Sequence, residues 1–107
     1  MKIVITDTIL KRLVNFNNVV QQEYQTAEKR QWQEMTLDNM QAYQQAKEKA
    51  GTHSAIAGYG LYLYKVQKGL REPRPIYGEP LLHNALLALL RQLNIPVQHA
   101  EPQPALG

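Results

Sequence analysis

The segment that most constrains this chain runs from Leu81 to Leu93, where seven leucines and two alanines are interrupted only by His83, Asn84, Arg91 and Gln92. Pro80 suits the first turn of a helix, where no backbone N–H is needed, and Asn94 followed by Pro96 ends it. Leu82, Leu86, Leu89 and Leu93 line one face, with Leu87 and Leu90 beside or opposite it. A helix that is apolar nearly all round has to be buried nearly all round. Each leucine left in water forgoes about 1.5–3 kcal/mol, a large share of the stability of an ordinary domain. Two arrangements satisfy the helix. Either it is the central element of its own chain, or a second chain covers its outer face. The second arrangement makes Leu87 and Leu90 the candidate self-association residues, with a two-fold homodimer as the default.

Three further helical segments are expected upstream. Thr6 or Asp7 can cap a long helix over residues 7–33, with Ile9, Leu13, Phe16, Val20, Tyr24 and Ala27 at alternating steps of four and three. Thr36 can cap a second, with a thin stripe of Leu37, Met40, Tyr43, Ala46 and Ala50 and a close at Gly51. Thr52 then starts a third, over about 53–68. Its alanines favour helix, whereas Tyr59 to Val66 is also rich in strand formers, and helical glycines cost about 1 kcal/mol each relative to alanine. The expected fold is therefore mainly α, a single small domain of about four helices. The alternative is α+β, with a short strand pair formed by 1–5 and 59–66. Residues 69–78 read as a loop because prolines exclude helix there.

One domain over 1–95 and a flexible proline-rich tail over 96–107 account for the whole length of 107 residues. Absence of cysteine excludes disulfides and thiol chemistry. No apolar run approaches the ~20 residues of a membrane span, and Met1–Ile5 is too short for the core of a secretion signal. A cytoplasmic protein with no membrane partner is the expectation.

The search for chemistry finds little. Phosphate-loop, nucleophile-elbow and paired-histidine metal motifs are all missing from the sequence. The histidines at 53, 83 and 99 lack metal-ligand spacing, and the carboxylates fall in charged stretches with basic neighbours. No catalytic residue, metal site or cofactor is expected. One constellation stands out. Residues 53–77 carry Lys65, Lys68, Arg71 and Arg74 against Glu72, and this +3 equals the net charge of the whole chain. Tyr59, Tyr62, Tyr64 and Tyr77 lie in the same segment. Tyrosine and arginine are favoured anchors at protein interfaces, and bases interleaved with aromatics also suit phosphate contact and base stacking. Those eight residues are the candidate partner-binding or nucleic-acid-binding set. A third feature is neutral polarity: twelve of the thirty-one residues from Asn15 to Gln45 are asparagine or glutamine. Such a surface is cheaper to desolvate than a charged one. The functional expectation is a non-catalytic accessory or inhibitory protein that works through protein contacts, as a homodimer. Binding of nucleic acid or a nucleotide through 59–74 is the alternative.

Overall fold

The computed structural model describes residues 2–100 and is mainly helical. Three helices account for it: α1 (Asp7–Gln33), α2 (Leu37–Gln67) and α3 (Glu79–Gln92). The two-residue segments β1 (Lys2–Ile3) and β2 (His99–Ala100) pair antiparallel beside them. Residue 1 and residues 101–107, most of the expected tail, lie outside the described residues. Within the tail, Val97 packs on the core and the Gln98 carbonyl accepts a 2.8 Å bond from Val4 N–H.

α1 begins at the cap its sequence pattern predicts and ends at Gln33, short of Met35. Thr6 Oγ1 accepts from Ile9 N–H at 3.2 Å, and Asp7 sits in the first turn, where the helix dipole favours an acid. Thr36 caps α2 in the same way, accepting from Asn39 N–H at 3.1 Å.

The expected second and third helices are one continuous helix of 31 residues. Gly51 does not close it, because its backbone stays helical; the positive φ that a glycine cap needs occurs at Gly69 instead (φ 73°). There Leu70 N–H donates to Lys65 O and Gly69 N–H to Val66 O, which together satisfy the orphaned last turn. The strand alternative fails for the same reason. Residues 59–66 are helical, and the extended N-terminal segment pairs with β2. α3 ends through an equivalent device, with Asn94 at φ 56° and Ile95 N–H bonded to Leu90 O.

α1 and α2 form a long antiparallel hairpin, and α3 packs across its open end against the second half of α2. The close approach of the hairpin is set at Gly60, where a Cβ would fall 2.8 Å from Leu13 Cδ1. Around this crossing lies the core: Ile3, Ile5, Ile9 and Leu13 from the N-terminal third, Ile56, Tyr59, Tyr62 and Leu63 from α2, and Leu86, Leu89, Leu90 and Ile95 from the α3 region. Gln67 fastens β1 to this core, its amide donating to Ile3 O and its Oε1 accepting from Ile5 N–H at 2.9 Å.

α3 buries Leu86, Leu89 and Leu90 in the core of its own chain, while Leu82, Leu87 and Leu93 stay partly exposed. Leu90 is 0% exposed within its own chain and Leu87 is half-buried against the same core. Of the two expected self-association residues, Leu90 therefore has no surface to offer a second chain in this fold, whereas Leu87 keeps part of its surface exposed. Only Leu81, at the start of α3, is a largely exposed leucine of that helix.

Candidate functional site

Beside the core, an open cavity of about 740 Å³ lies between the last turns of α2, the 68–78 loop and the first turns of α3. Its floor comes from Tyr59, Tyr62, Leu63 and Val66, and its loop wall from Pro73, Arg74 and Pro75. Glu79, His83 and Asn84 of α3 supply the third wall, and Ile3 and Gln67 close one end. The lining is mostly apolar, with a few polar groups converging at the rim.

Tyrosine spacing explains how the loop is held open. Tyr59 and Tyr62 are one turn apart on α2, and their rings stack with centroids 6.2 Å apart. The Tyr62 hydroxyl donates to Arg74 O at 3.1 Å and accepts from Arg74 N–H at 3.0 Å, so one side chain latches the loop twice. The Tyr59 hydroxyl donates to Glu79 Oε2 at 3.0 Å and ties α3 to the same turn of α2. Burial, reinforced by that bond to Glu79, raises the Tyr59 pKa far above an ordinary phenol. Tyr59 is therefore a protonated donor at every physiological pH and is unsuited to act as a base. Arg71 caps the outer face of Tyr62, its guanidinium carbon 5.3 Å from the ring centroid.

The eight sequence candidates do not form one surface. Tyr59, Tyr62 and Arg74 meet in the cavity, with Arg71 adjoining. Tyr64 and Lys68 turn towards α1: the Tyr64 hydroxyl donates to Asp7, which raises its pKa, and Lys68 Nζ lies 5.7 Å from the Tyr64 ring centroid. Lys65 is half-buried on α2 and takes no part in the cavity lining. Tyr77, 103% exposed, projects from the loop. Glu79, His83, Asn84 and Gln67 complete the site and are absent from the sequence-derived set. No spacing signal marks Glu79, His83 and Asn84, because they reach Tyr59 and Tyr62 only through the fold-back of the 68–78 loop, whereas Gln67 lies on α2 itself.

His53 lies away from this site, its ring edge-on to Phe16 at 4.9 Å between α1 and α2. Among the described residues no group of three histidine, aspartate or glutamate side chains is placed to hold a metal ion. Among the described residues no helix is long and apolar enough to cross a membrane. Comparison with protein-family models, curated proteins and solved structures finds no match for this chain.

Proposed function

We propose that this protein is a non-catalytic accessory or inhibitory factor that captures a segment of a partner protein in the Tyr59–Tyr62–Arg74 cavity. The observation that carries this reading is the cavity itself: an apolar floor of buried rings, walls stiffened by prolines, and arginines at the edge. Buried aromatic floors with arginine rims are the usual anatomy of interface hot spots. Pro73 and Pro75 restrict the loop before binding, so little ordering entropy remains to oppose the partner. Arg71 and Arg74 stand at the cavity edge, and the carboxylate of Glu79 in its wall is already bonded to Tyr59, which favours a partner segment carrying acidic residues beside its apolar anchors.

The nucleic-acid reading has the same positive charge behind it. Its stacking rings, however, are already engaged: Tyr59 and Tyr62 are buried against each other, with Arg71 on the free face.

Selection from a random peptide display library, followed by polarisation measurements, separates the two. Acidic–apolar peptides are expected to be enriched, and Arg74→Glu is expected to weaken them at least tenfold while helical content is unchanged. Failure to enrich any peptide, or binding indifferent to Arg74→Glu, rejects the proposal. Tight binding of a single-stranded oligonucleotide that falls steeply with salt would support the second reading instead.

A further inference from the structure

Most polar groups lining the Tyr59–Arg74 cavity are already engaged within the chain. The Tyr62 hydroxyl both donates to and accepts from the Arg74 backbone, and the Tyr59 hydroxyl donates to Glu79 Oε2. Gln67 is used at both ends of its amide, donating to Ile3 O and accepting from Ile5 N–H. The first turn of α3 offers no backbone cradle for an anion either. Glu79 N–H bonds to Ile76 O, Leu81 and Leu82 N–H bond to Gly78 O, and Pro80 has no N–H. Three lining side chains remain. The Arg74 guanidinium, the His83 ring and the Asn84 amide make no hydrogen bond or ion pair among the described residues.

We infer that the partner segment enters this cavity by its C-terminus: Arg74, His83 and Asn84 take the terminal carboxylate, and an apolar last side chain lies on the floor of Tyr59, Tyr62, Leu63 and Val66. This rests on the capture proposed above and narrows its acidic group to one, the end of the partner's chain. A segment passing through would bring one N–H and one C=O per residue, each needing a partner once buried. The free lining groups do not match that demand, because they are chiefly donors and a guanidinium is a donor only. The one strand residue in the lining, Ile3, is paired with His99 and has its carbonyl bonded to Gln67, so it offers no open edge. A terminal carboxylate brings two acceptor oxygens and a full negative charge, and its bonds to arginine are among the strong ones.

Shape and charge agree with a chain end. Ile3 and Gln67 close the cavity at one end, so a segment that enters has to stop there. A volume of about 740 Å³ lies in the range of sites that enclose a small ligand, room for the last few residues of a chain. Arg74 is the single lysine or arginine in the lining, since Arg71 stands over the Tyr62 ring. A second acid would meet Glu79 in the wall with no cation of its own.

The test uses the whole chain against two display libraries carrying the same short random insert. In one the insert ends in a free carboxyl terminus; in the other a glycine–serine extension continues it. Enrichment from the free-ended library alone is expected. An enriched peptide made as the free acid is expected to bind about tenfold tighter than its C-terminal amide in fluorescence polarisation. Arg74→Gln is expected to abolish that difference, and His83→Ala and Asn84→Ala each to narrow it. Arg74 latches the loop through its backbone, so the substitution leaves the bonds to Tyr62 in place, and an unchanged Tm checks this. Enrichment from the extended library, alone or equally, overturns the inference while the capture of a segment stands, and so does equal binding of acid and amide. Enrichment from neither library rejects both.

Discussion

His53 is held between α1 and α2 with its Nδ1 buried and without a hydrogen-bond partner. Burial lowers its pKa below the ordinary 6.5, and the nearby Lys49 ammonium lowers it further. Because the folded state binds this proton more weakly than the unfolded state, the neutral ring's contribution is complete above about pH 6.5. It is lost as pH falls from there to the folded-state pKa. Phe16, the ring it packs against, is not titratable, so Lys49 is the charged neighbour that matters. Urea unfolding at about pH 7.5 and 5.5 is expected to show a stability loss that shrinks in His53→Phe. An equal loss in both proteins would place the sensitive group elsewhere. The sequence contains the histidine but not this consequence, which arises because Phe16 lies across the hairpin from it.

At the scale of elements, the caps were legible and the middle of α2 was not. Thr6 and Thr36 act locally through bonds to backbone groups three residues away, and Pro80 and Asn94 through their own backbone conformation, so their sequence signature survives folding. α2 lacks a single apolar stripe because its partners change along its length. Tyr43, Ala46 and Ala50 meet α1, whereas Ile56, Tyr59 and Leu63 also meet the core that α3 completes. Gly51 therefore looked like a stop, although tertiary packing on both sides carries the helix through it. A Cβ at Gly51 meets nothing within 4 Å. Gly51→Ala is expected to stabilise the protein by about 0.5–1 kcal/mol, the ordinary helix gain. Gly60→Ala should not share that gain, because Leu13 Cδ1 would have to move within a packed layer. Thermal melts of the two variants check the contrast, and an equal rise in Tm would refute the close approach at Gly60.

The whole molecule is 67 Å long and only 26 and 23 Å across, a packed base extended by a bare arm. The leucine-rich helix was left between a core and an interface role; its Leu86, Leu89 and Leu90 are buried at the base, and a stretch with no buried residue, 21–49, appears at the other end. Leu90→Glu accordingly tests the fold rather than assembly. A carboxylate at a fully enclosed site has neither water nor a cation, so the variant is expected to be unfolded, with loss of helical circular dichroism, and not a soluble folded monomer. A folded Leu90→Glu protein would show that α3 leaves the core.

Helix content, both threonine caps, the 69–78 loop and the need to bury Leu82–Leu93 are properties of neighbouring residues, and the amino-acid order alone determined them. Which surface covers the leucines, which tyrosines share a cavity and where the hairpin runs out of packing depend on contacts between residues far apart in the chain, from Tyr62 with Arg74 to Arg12 with Leu93. Only the tertiary structure decided these, because burial is a property of how helices cross and not of the spacing within any one of them.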